Sequence, residues 1–460
     1  MTSLETRTES RTEASDDLLA GAEAPRLIVV METRRPAAEG LRIVLGDADE
    51  VAIGRGSARS VTRQGKAIEL TIADHEMSRQ HARLRRQVGG WELADLGSKN
   101  GTSVNGDAVT RATLADGDVI EVGGAVLMFR EEGTQVRGGE LGDRDLTNDS
   151  EPAAFRTLSL ELERRCADLA RIAASTVPVL VRGETGTGKE LVARAVHERS
   201  ERRGAFVAIN CGALPRSLLE SELFGYKRGA FSGAKDDRDG LVRRADHGTL
   251  FLDEIAELPE ESQVALLRVL QEGEVRPIGA GDVVPVDVRV VAATHQDLAN
   301  RIADGRFRQD LYARLSGFEV SLVPLRDRSE DIGSLVAALL PRVTDDAGGV
   351  TLHRQAARAL INYGYPLNVR ELEQALRAAV VLAGGGEIRI EHLPEAMRGY
   401  TPPATVPLRP EDRALRERLI EVLREARGNV AAAGRQMNKA PIQIRRWCRR
   451  FGIELAGFRG

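Results

Sequence analysis

The chain has 460 residues, with 69 acidic against 65 basic side chains and a formal net charge of −4. That length exceeds one ordinary hydrophobic core and predicts about three domains, while the near balance of charge says nothing about partners until it is split by region. No apolar run approaches the ~18 residues of a membrane span and the first residues carry no secretory stretch, so a cytoplasmic protein without a membrane partner is expected. Cys166, Cys211 and Cys448 show neither paired nor metal-ligand spacing, which argues against a disulfide framework.

Residues 1–25 are rich in Thr, Ser, Glu, Asp and Arg with almost nothing to bury, the composition of a disordered arm. Its Thr6, Thr8 and Thr12 are conceivable ligands for a neighbouring copy. Between 26 and 130 the pattern becomes short apolar runs (RLIVV, LRIVL, EVAIG, AIELTI, WELADL, DVIEV, AVLMF) punctuated by Gly, Asn and Asp, which predicts an all-β sandwich. Within it stand Gly54-Arg55, Ser78-Arg79-Gln80-His81, Lys99-Asn100-Gly101-Thr102 and Asn105-Gly106. In this order the motifs resemble the forkhead-associated (FHA) domain, which reads phosphothreonine peptides through loops at one end of its sandwich. The resemblance implies that Arg55 and Arg79 fork onto phosphate oxygens, Ser78 donates its hydroxyl and Asn100 bonds the peptide backbone, with His81 bracing the loop. A polar insert, 59–66, lengthens the spacing from Arg55 to Ser78. Taken pair by pair, the same residues are also compatible with hairpin turns and solvated arginines. Residues 131–152 lack apolar period and read as a linker.

From 153 to 396 helical patterns alternate with short apolar strands, predicting a parallel sheet covered by helices. Val179 to Glu190, VLVRGETGTGKE, runs from a buried strand into a glycine-rich turn and a helix. Gly183, Glu184, Thr185, Gly186, Thr187 and Gly188 would wrap a phosphate, Lys189 would supply positive charge, and the helix N-terminus would add its dipole. The usual motif has Ser or Thr after the lysine to hold magnesium; Glu190 stands there, so the metal must lean on other groups. Downstream, Thr249 to Glu254, TLFLDE, ends a second buried strand on two carboxylates, Asp253 to hold Mg2+ and Glu254 to polarise the attacking water. The pair of motifs predicts ATP hydrolysis.

The run resembles the AAA+ P-loop ATPase domain of sigma-54-dependent transcription activators, with a helical lid over 331–396. The resemblance makes Asn210, in FVAINCGAL, the switch that holds Glu254, and Thr294, in RVVAAT, the first nucleotide sensor, followed by His295. Glu222 to Ala234, ELFGYKRGAFSGA, is similar to the family's sigma-factor loop: Gly229, Ala230, Phe231, Ser232, Gly233 and Ala234, with Ser232 for the usual Thr. Phe231 among small residues makes a poor core element and a good mobile probe, and the turn within Gln263 to Gly279 is expected to move with it. In Phe307 to Leu315, FRQDLYARL, the resemblance assigns Arg308 and Arg314 to the γ-phosphate of the neighbouring subunit, which implies a ring, expected to be a hexamer; either could instead pair with Asp310 or Glu319. Tyr365 to Leu372, YPLNVREL, departs from the family's WPGNVREL at Tyr365 and Leu367 but keeps Arg370 as the sensor from the lid.

Residues 397–410 are proline-rich and read as a spacer. In 411–460, helices are expected at Glu411 to Arg427, after Asn429, and from Pro441, with Ile444, Cys448 and Phe451 facing inward. Gln443, Arg445, Arg446 and Arg449 face outward in a stretch, Arg435 to Arg450, without an acidic residue. This resembles the Fis-like helix-turn-helix of the same activators, whose second helix would enter the major groove of DNA. A charged face on an ordinary helical bundle is the alternative.

The expected protein is therefore multidomain: an all-β FHA sandwich, an α/β AAA+ ATPase with its lid, and an all-α helix-turn-helix. It would bind double-stranded enhancer DNA, spend ATP with Mg2+ on sigma-54 RNA polymerase, and take a threonine-phosphorylated protein, a Ser/Thr kinase or its substrate, as input in place of an Asp-based receiver. It would be cytoplasmic and nucleoid-associated. Two rivals stay open: a remodelling ATPase with another client, and a repressor or phosphopeptide scaffold with a vestigial ATP site.

Overall fold

The computed structural model describes residues 25–88, 90–131, 142–399, 410–426, 429–437, 439 and 441–450. The chain divides into two compact units. One takes in the described residues up to Thr147 together with Thr344–Tyr363 and those from Ala379 onward; the other comprises Asn148–Val343 and Gly364–Ala378.

In the first unit two sheets face each other. The seven-stranded sheet runs Arg144–Asp145, Leu41–Val44, Arg26–Glu32, Ala125–Arg130, Asp118–Val122, Thr102–Val104, Asp107–Val109. The six-stranded sheet runs Arg111–Thr113, Gly90–Asp95, Ala82–Gln87, Glu50–Arg55, Ala67–Ile72, Ser60–Gln64. Alternate residues point between the sheets, so Leu27, Val29, Leu127 and Phe129 meet Val51, Ile53, Trp91 and Leu93 in one core. Two expectations change here. The polar insert, 59–66, is a strand and its turn: Ser60–Gln64 pairs antiparallel with Ala67–Ile72 at a sheet edge, with only Val61 turned toward the core and the other four side chains exposed, so it lacks the apolar alternation that marks a strand. The segment read as linker re-enters the sandwich at Arg144–Asp145, which pairs with Leu41–Val44, and Leu146 beside it is fully buried.

The same unit holds the helices Pro410–Glu425, Val430–Gln436 and Pro441–Arg450, whose buried core is Leu419, Leu423, Val430, Ala433, Ile444 and Cys448. Asn429 caps the middle helix, its side-chain oxygen accepting from the Ala431 and Ala432 amides at 3.1 Å each. Trp447 packs against this core. The spacer at 400–409, Phe451 and the arm with Thr6, Thr8 and Thr12 lie outside the described residues.

The second unit is built on a parallel sheet of five strands in the order Phe206–Asn210, Thr249–Asp253, Arg289–Thr294, Val179–Arg182, Phe318–Ser321. Its strands are apolar on both sides because both faces are covered. Val179 and Val181 pack with Leu162, Leu169 and Val196 on one face, while Leu180, Leu250 and Leu252 pack with Leu219, Leu266 and Leu311 on the other. The turns that follow the strands' C-terminal ends converge at one edge, where a doubly wound sheet binds its ligand. Among the described residues no helix is long and apolar enough to cross a membrane.

Candidate functional site

The strand Val179–Arg182 lies between Arg289–Thr294 and Phe318–Ser321, so the loop that leaves it opens between the ends of those two strands. Gly186 and Gly188 take φ of +80° and +99°, a backbone turn that side chains resist. A Cβ at Gly186 would fall 2.1 Å from the Leu367 carbonyl oxygen. Thr187 Oγ1 donates to the Glu184 carbonyl at 2.8 Å, and the helix Lys189–Arg199 starts directly behind, aiming its free amides back at the loop. The glycine cradle and the helix of 11 residues fit a nucleotide phosphate.

Lys189 is nearly buried, with Nζ donating to the Gly183 and Glu184 carbonyls at 3.1 and 3.3 Å and standing 3.7 Å from the Glu254 carboxylate. Glu190 does not share this position. It is exposed and binds Arg194 one turn on at 2.7 Å, so the residue that replaces the usual hydroxyl turns away from the loop.

Asp253 and Glu254 end the adjoining strand. Glu254 has φ +52° and ψ 50°, a left-handed conformation for a non-glycine residue, and such strain is commonly kept at functional positions. Burial, then the neighbouring Glu254 charge, raises the Asp253 carboxyl above the ordinary carboxylate range. Adjacent carboxylates of this kind suit a divalent cation, and with Glu190 turned away its other ligands would be phosphate and water. Burial, and after it Asp253 and Glu254, pushes the Cys211 thiol up to about 12, which leaves it unreactive.

The expected pairing of Asn210 with Glu254 is not the one observed. Asn210 Nδ2 donates to Asp253 Oδ2 at 3.0 Å, while its Oδ1 accepts from the Gly212 amide at 2.9 Å. Glu254 Oε2 instead meets His295 Nδ1 at 2.7 Å. The reversal of φ at Glu254 accounts for this, since it turns that side chain off the line of the strand and toward the end of the neighbouring one. Thr294 is fully buried; its hydroxyl accepts from the Gln296 amide at 3.0 Å and its carbonyl from the Gly183 amide at 3.2 Å. It fixes the loop's first residue.

From the lid side, Asn368 is fully buried at φ +54°. Its Oδ1 accepts from the Leu325 amide at 2.8 Å, and its Nδ2 donates to Glu184 Oε2 and the Thr185 carbonyl, each at 3.1 Å. Arg326 forks onto the Glu184 carboxylate at 2.8 and 2.6 Å. That arginine first, and Asn368 after it, hold the Glu184 carboxyl below its ordinary range. The sequence reading assigned no role to Asn368 or Arg326; the only local signal was an Asn in a Pro-Leu-Asn turn, a residue that tolerates the left-handed region. Arg370 is exposed on the first turn of the helix Asn368–Leu382, and its Cβ would lie 3.2 Å from a Cβ at Gly186. Arg314 is exposed and Arg308 half-buried. Within the chain Arg308 forks onto Asp310 at 3.0 and 2.6 Å, the pairing left open above.

The Phe231 loop rises from the hairpin Gly225–Tyr226 and Arg238–Asp239. Its neck is closed by the Gly229 amide donating to the Ala234 carbonyl at 2.8 Å, with φ of +85° at Gly229 and +116° at Gly233. Phe231 is 45% exposed. It is not without support, as composition suggested: the Tyr226 ring stands edge-on to it at 4.9 Å. The Lys227 amide donates to Ile278 and the Ile278 amide to Gly225, both at 2.9 Å, tying the loop's base to the turn after the helix Glu260–Glu272.

The sandwich gathers its own cluster. A Cβ at Gly54 would sit 1.9 Å from the Arg79 carbonyl oxygen, so only glycine lets Arg55 and Arg79 approach. The Arg55 amide donates to the Ser78 carbonyl at 2.9 Å and the Lys99 amide to Ser78 Oγ at 3.1 Å. Asn100 Nδ2 donates to the Glu76 carbonyl at 2.7 Å. Buried His81 accepts from the Ser78 amide and meets the Gly101 carbonyl, both at 3.1 Å, bracing the two loops. Arg55, Arg79 and Asn100 are exposed and Ser78 half-buried. In the last helix Gln443 is half-buried, and the side chains of Arg445, Arg446 and Arg449 lie outside the described residues.

Residues 156–321 match the Sigma-54 interaction domain family, 51–123 the FHA domain and 326–407 the AAA+ ATPase lid domain. The hydrogenase transcriptional regulatory protein HoxA of Cupriavidus necator is 45% identical over 309 residues, 64% of each chain. The response regulator protein PilR of Pseudomonas aeruginosa is 49% identical over 224 residues, 48% of this chain and 50% of PilR. This chain thus spans from half to just under two thirds of the length of these relatives. Among solved structures, NtrX from Brucella abortus in complex with ADP aligns over 65% of this chain and 69% of that one, with a TM-score of 0.52 and 29% identity.

Proposed function

We propose that this chain, which joins an FHA domain to a sigma-54 interaction domain and its lid, is an ATP-driven transcription activator working on sigma-54 RNA polymerase. Nucleotide binding is supported by the glycine cradle, by Lys189 and by NtrX solved with ADP. Magnesium, when bound, would supply charge neutralisation at the phosphates. Asp253 would hold that ion, Glu254 would orient and deprotonate the attacking water once released from His295, and Arg370 would read the nucleotide from the lid. Arg308 and Arg314 would leave Asp310 and solvent to reach the site of an adjacent copy in a ring, since charge on the transferred phosphoryl group calls for such an arginine.

The observation that carries the reading is Phe231: a large apolar side chain held out at 45% exposure on a glycine-necked loop, where the other large aromatics among the described residues are mostly buried. It has the form of a contact meant for a partner. The output would be an open complex at promoters whose enhancer DNA is gripped by the C-terminal helices through Gln443, Arg445, Arg446 and Arg449. The input would be a phosphothreonine protein at Arg55, Ser78, Arg79 and Asn100, and the setting cytoplasmic and nucleoid-associated. The test is open-complex formation with purified sigma-54 holoenzyme, followed by reactivity of unpaired promoter thymines. The proposal predicts melting that requires this protein and hydrolysable ATP; ATP turnover without melting on any sigma-54 promoter carrying its binding site would overturn it.

A further inference from the structure

In a two-sheet sandwich the side chains that do not enter the core ordinarily face water. The seven-stranded sheet departs from this. Leu27, Ile120, Val122, Leu127 and Phe129 fill the core, yet their neighbours on the opposite face, Ile28, Val119, Val126 and Met128, are 0–2% exposed. Even Glu121, a carboxylate on that outer face, is only 3% exposed. The cover comes from the chain's own later segment in the same compact unit. The helix Arg354–Asn362 packs on the strand Ala125–Arg130, and the Leu352 amide donates to the Thr33 carbonyl at 2.8 Å. Arg358 forks onto Glu121 at 2.6 and 3.2 Å. Its guanidinium lies so close to Gly106 that a Cβ there would be 1.8 Å away.

A second pairing links this docked segment to the loops described above. Arg34 binds Glu76 and stands 3.8 Å from Glu387. Glu76 is two residues from Ser78, and its carbonyl is the one that Asn100 Nδ2 holds. Arg34 therefore bridges the loop that carries Ser78 and the docked segment.

We propose that the outer face of the seven-stranded sheet is a docking surface for this chain's own segments 351–363 and 379–398, which share its compact unit, and that a phosphothreonine peptide at the Arg55, Ser78, Arg79 and Asn100 loops loosens it. The second half rests on the phosphopeptide reading above. A peptide that draws the Asn100 amide to its own backbone frees the Glu76 carbonyl. A phosphate dianion beside Ser78 competes with Glu387 for Arg34. By linkage, whatever loosens the docking must tighten the peptide by the same factor.

Hydrogen exchange on the full chain tests both halves. Arg358→Glu sets a like charge against the buried Glu121, so amides at 354–362 should exchange at least about tenfold faster while those of the sheet core at 118–129 stay slow. Arg34→Ala, a surface change that spares the fold, should raise the same amides by a smaller factor. Unchanged exchange at 354–362 in both variants would overturn the docking. The ligand probe is a degenerate phosphothreonine peptide pool beside its unphosphorylated twin, with binding followed by fluorescence anisotropy. Binding that speeds exchange at 354–362, and a higher affinity in Arg358→Glu, whose guanidinium holds the docked helix and takes no part in the peptide site, support the coupling. Binding without a change in exchange overturns the coupling alone. Failure of the pool to bind sinks the phosphopeptide reading and the coupling with it, leaving the docking to stand or fall on the two variants.

Discussion

Asn368→Ala is the sharpest test of how the lid is tied to the nucleotide loop. The side chain is fully buried and makes three hydrogen bonds, to Leu325, Glu184 and Thr185. Losing them costs about 1 kcal/mol each net, and the Leu325 amide left without its acceptor adds about 1–3 kcal/mol. Alanine at φ +54° adds about 1 kcal/mol more. Part of this overlaps, so the expected loss is about 3–5 kcal/mol. Asn368→Gly separates the terms: it accepts the left-handed backbone and should recover only about 1 kcal/mol. Denaturant melts of the full chain, read beside ATP affinity by calorimetry, measure both consequences. ATP binding should weaken because the loop loses two anchors. A variant within about 1 kcal/mol of the parent that binds ATP equally well would refute the reasoning.

Glu254→Gln should keep nucleotide affinity and lower turnover by about 10²–10⁴-fold in a steady-state ATPase assay, the loss expected for a general base. Gly54→Ala should drive a Cβ into the Arg79 carbonyl, displace the loop that Arg55 and Ser78 share and abolish phosphothreonine peptide binding by calorimetry, with a cost to the sandwich of about 1–3 kcal/mol. The Glu184 carboxyl is held low by Arg326 and Asn368. Its folded pKa is thus below the unfolded value, and its contribution is complete above about pH 4.3 and lost as pH falls through the lowered value. Melts of the parent should weaken more steeply below pH 4.3 than those of Glu184→Gln.

What the sequence made legible follows what each signal depends on. The glycine loop, TLFLDE and the paired sandwich motifs are local, fixed by backbone geometry and strand burial, and the structure gathers them as the spacing implied. Signals carried by tertiary contact were not legible. Ser60–Gln64 is a strand because a neighbour pairs with it, although its exposed polar side chains look like a loop. The exchange of partners at the carboxylates, with Asn210 on Asp253 and His295 on Glu254, follows from one reversed φ that no pattern announces. The outermost clue was present but unused: LIVV and AVLMF are apolar at every position, which a half-exposed strand does not need. Those runs marked a sheet covered on both faces.

The central claim is that hydrolysis is spent through Phe231 on a polymerase subunit. Phe231→Ala measures it most directly, with ATP turnover and promoter melting by sigma-54 holoenzyme followed in the same preparation. The account predicts turnover within about twofold of the parent, since Phe231 touches Tyr226 and not the nucleotide loop, and no detectable melting. Melting that survives, or turnover that collapses together with it, would contradict the account.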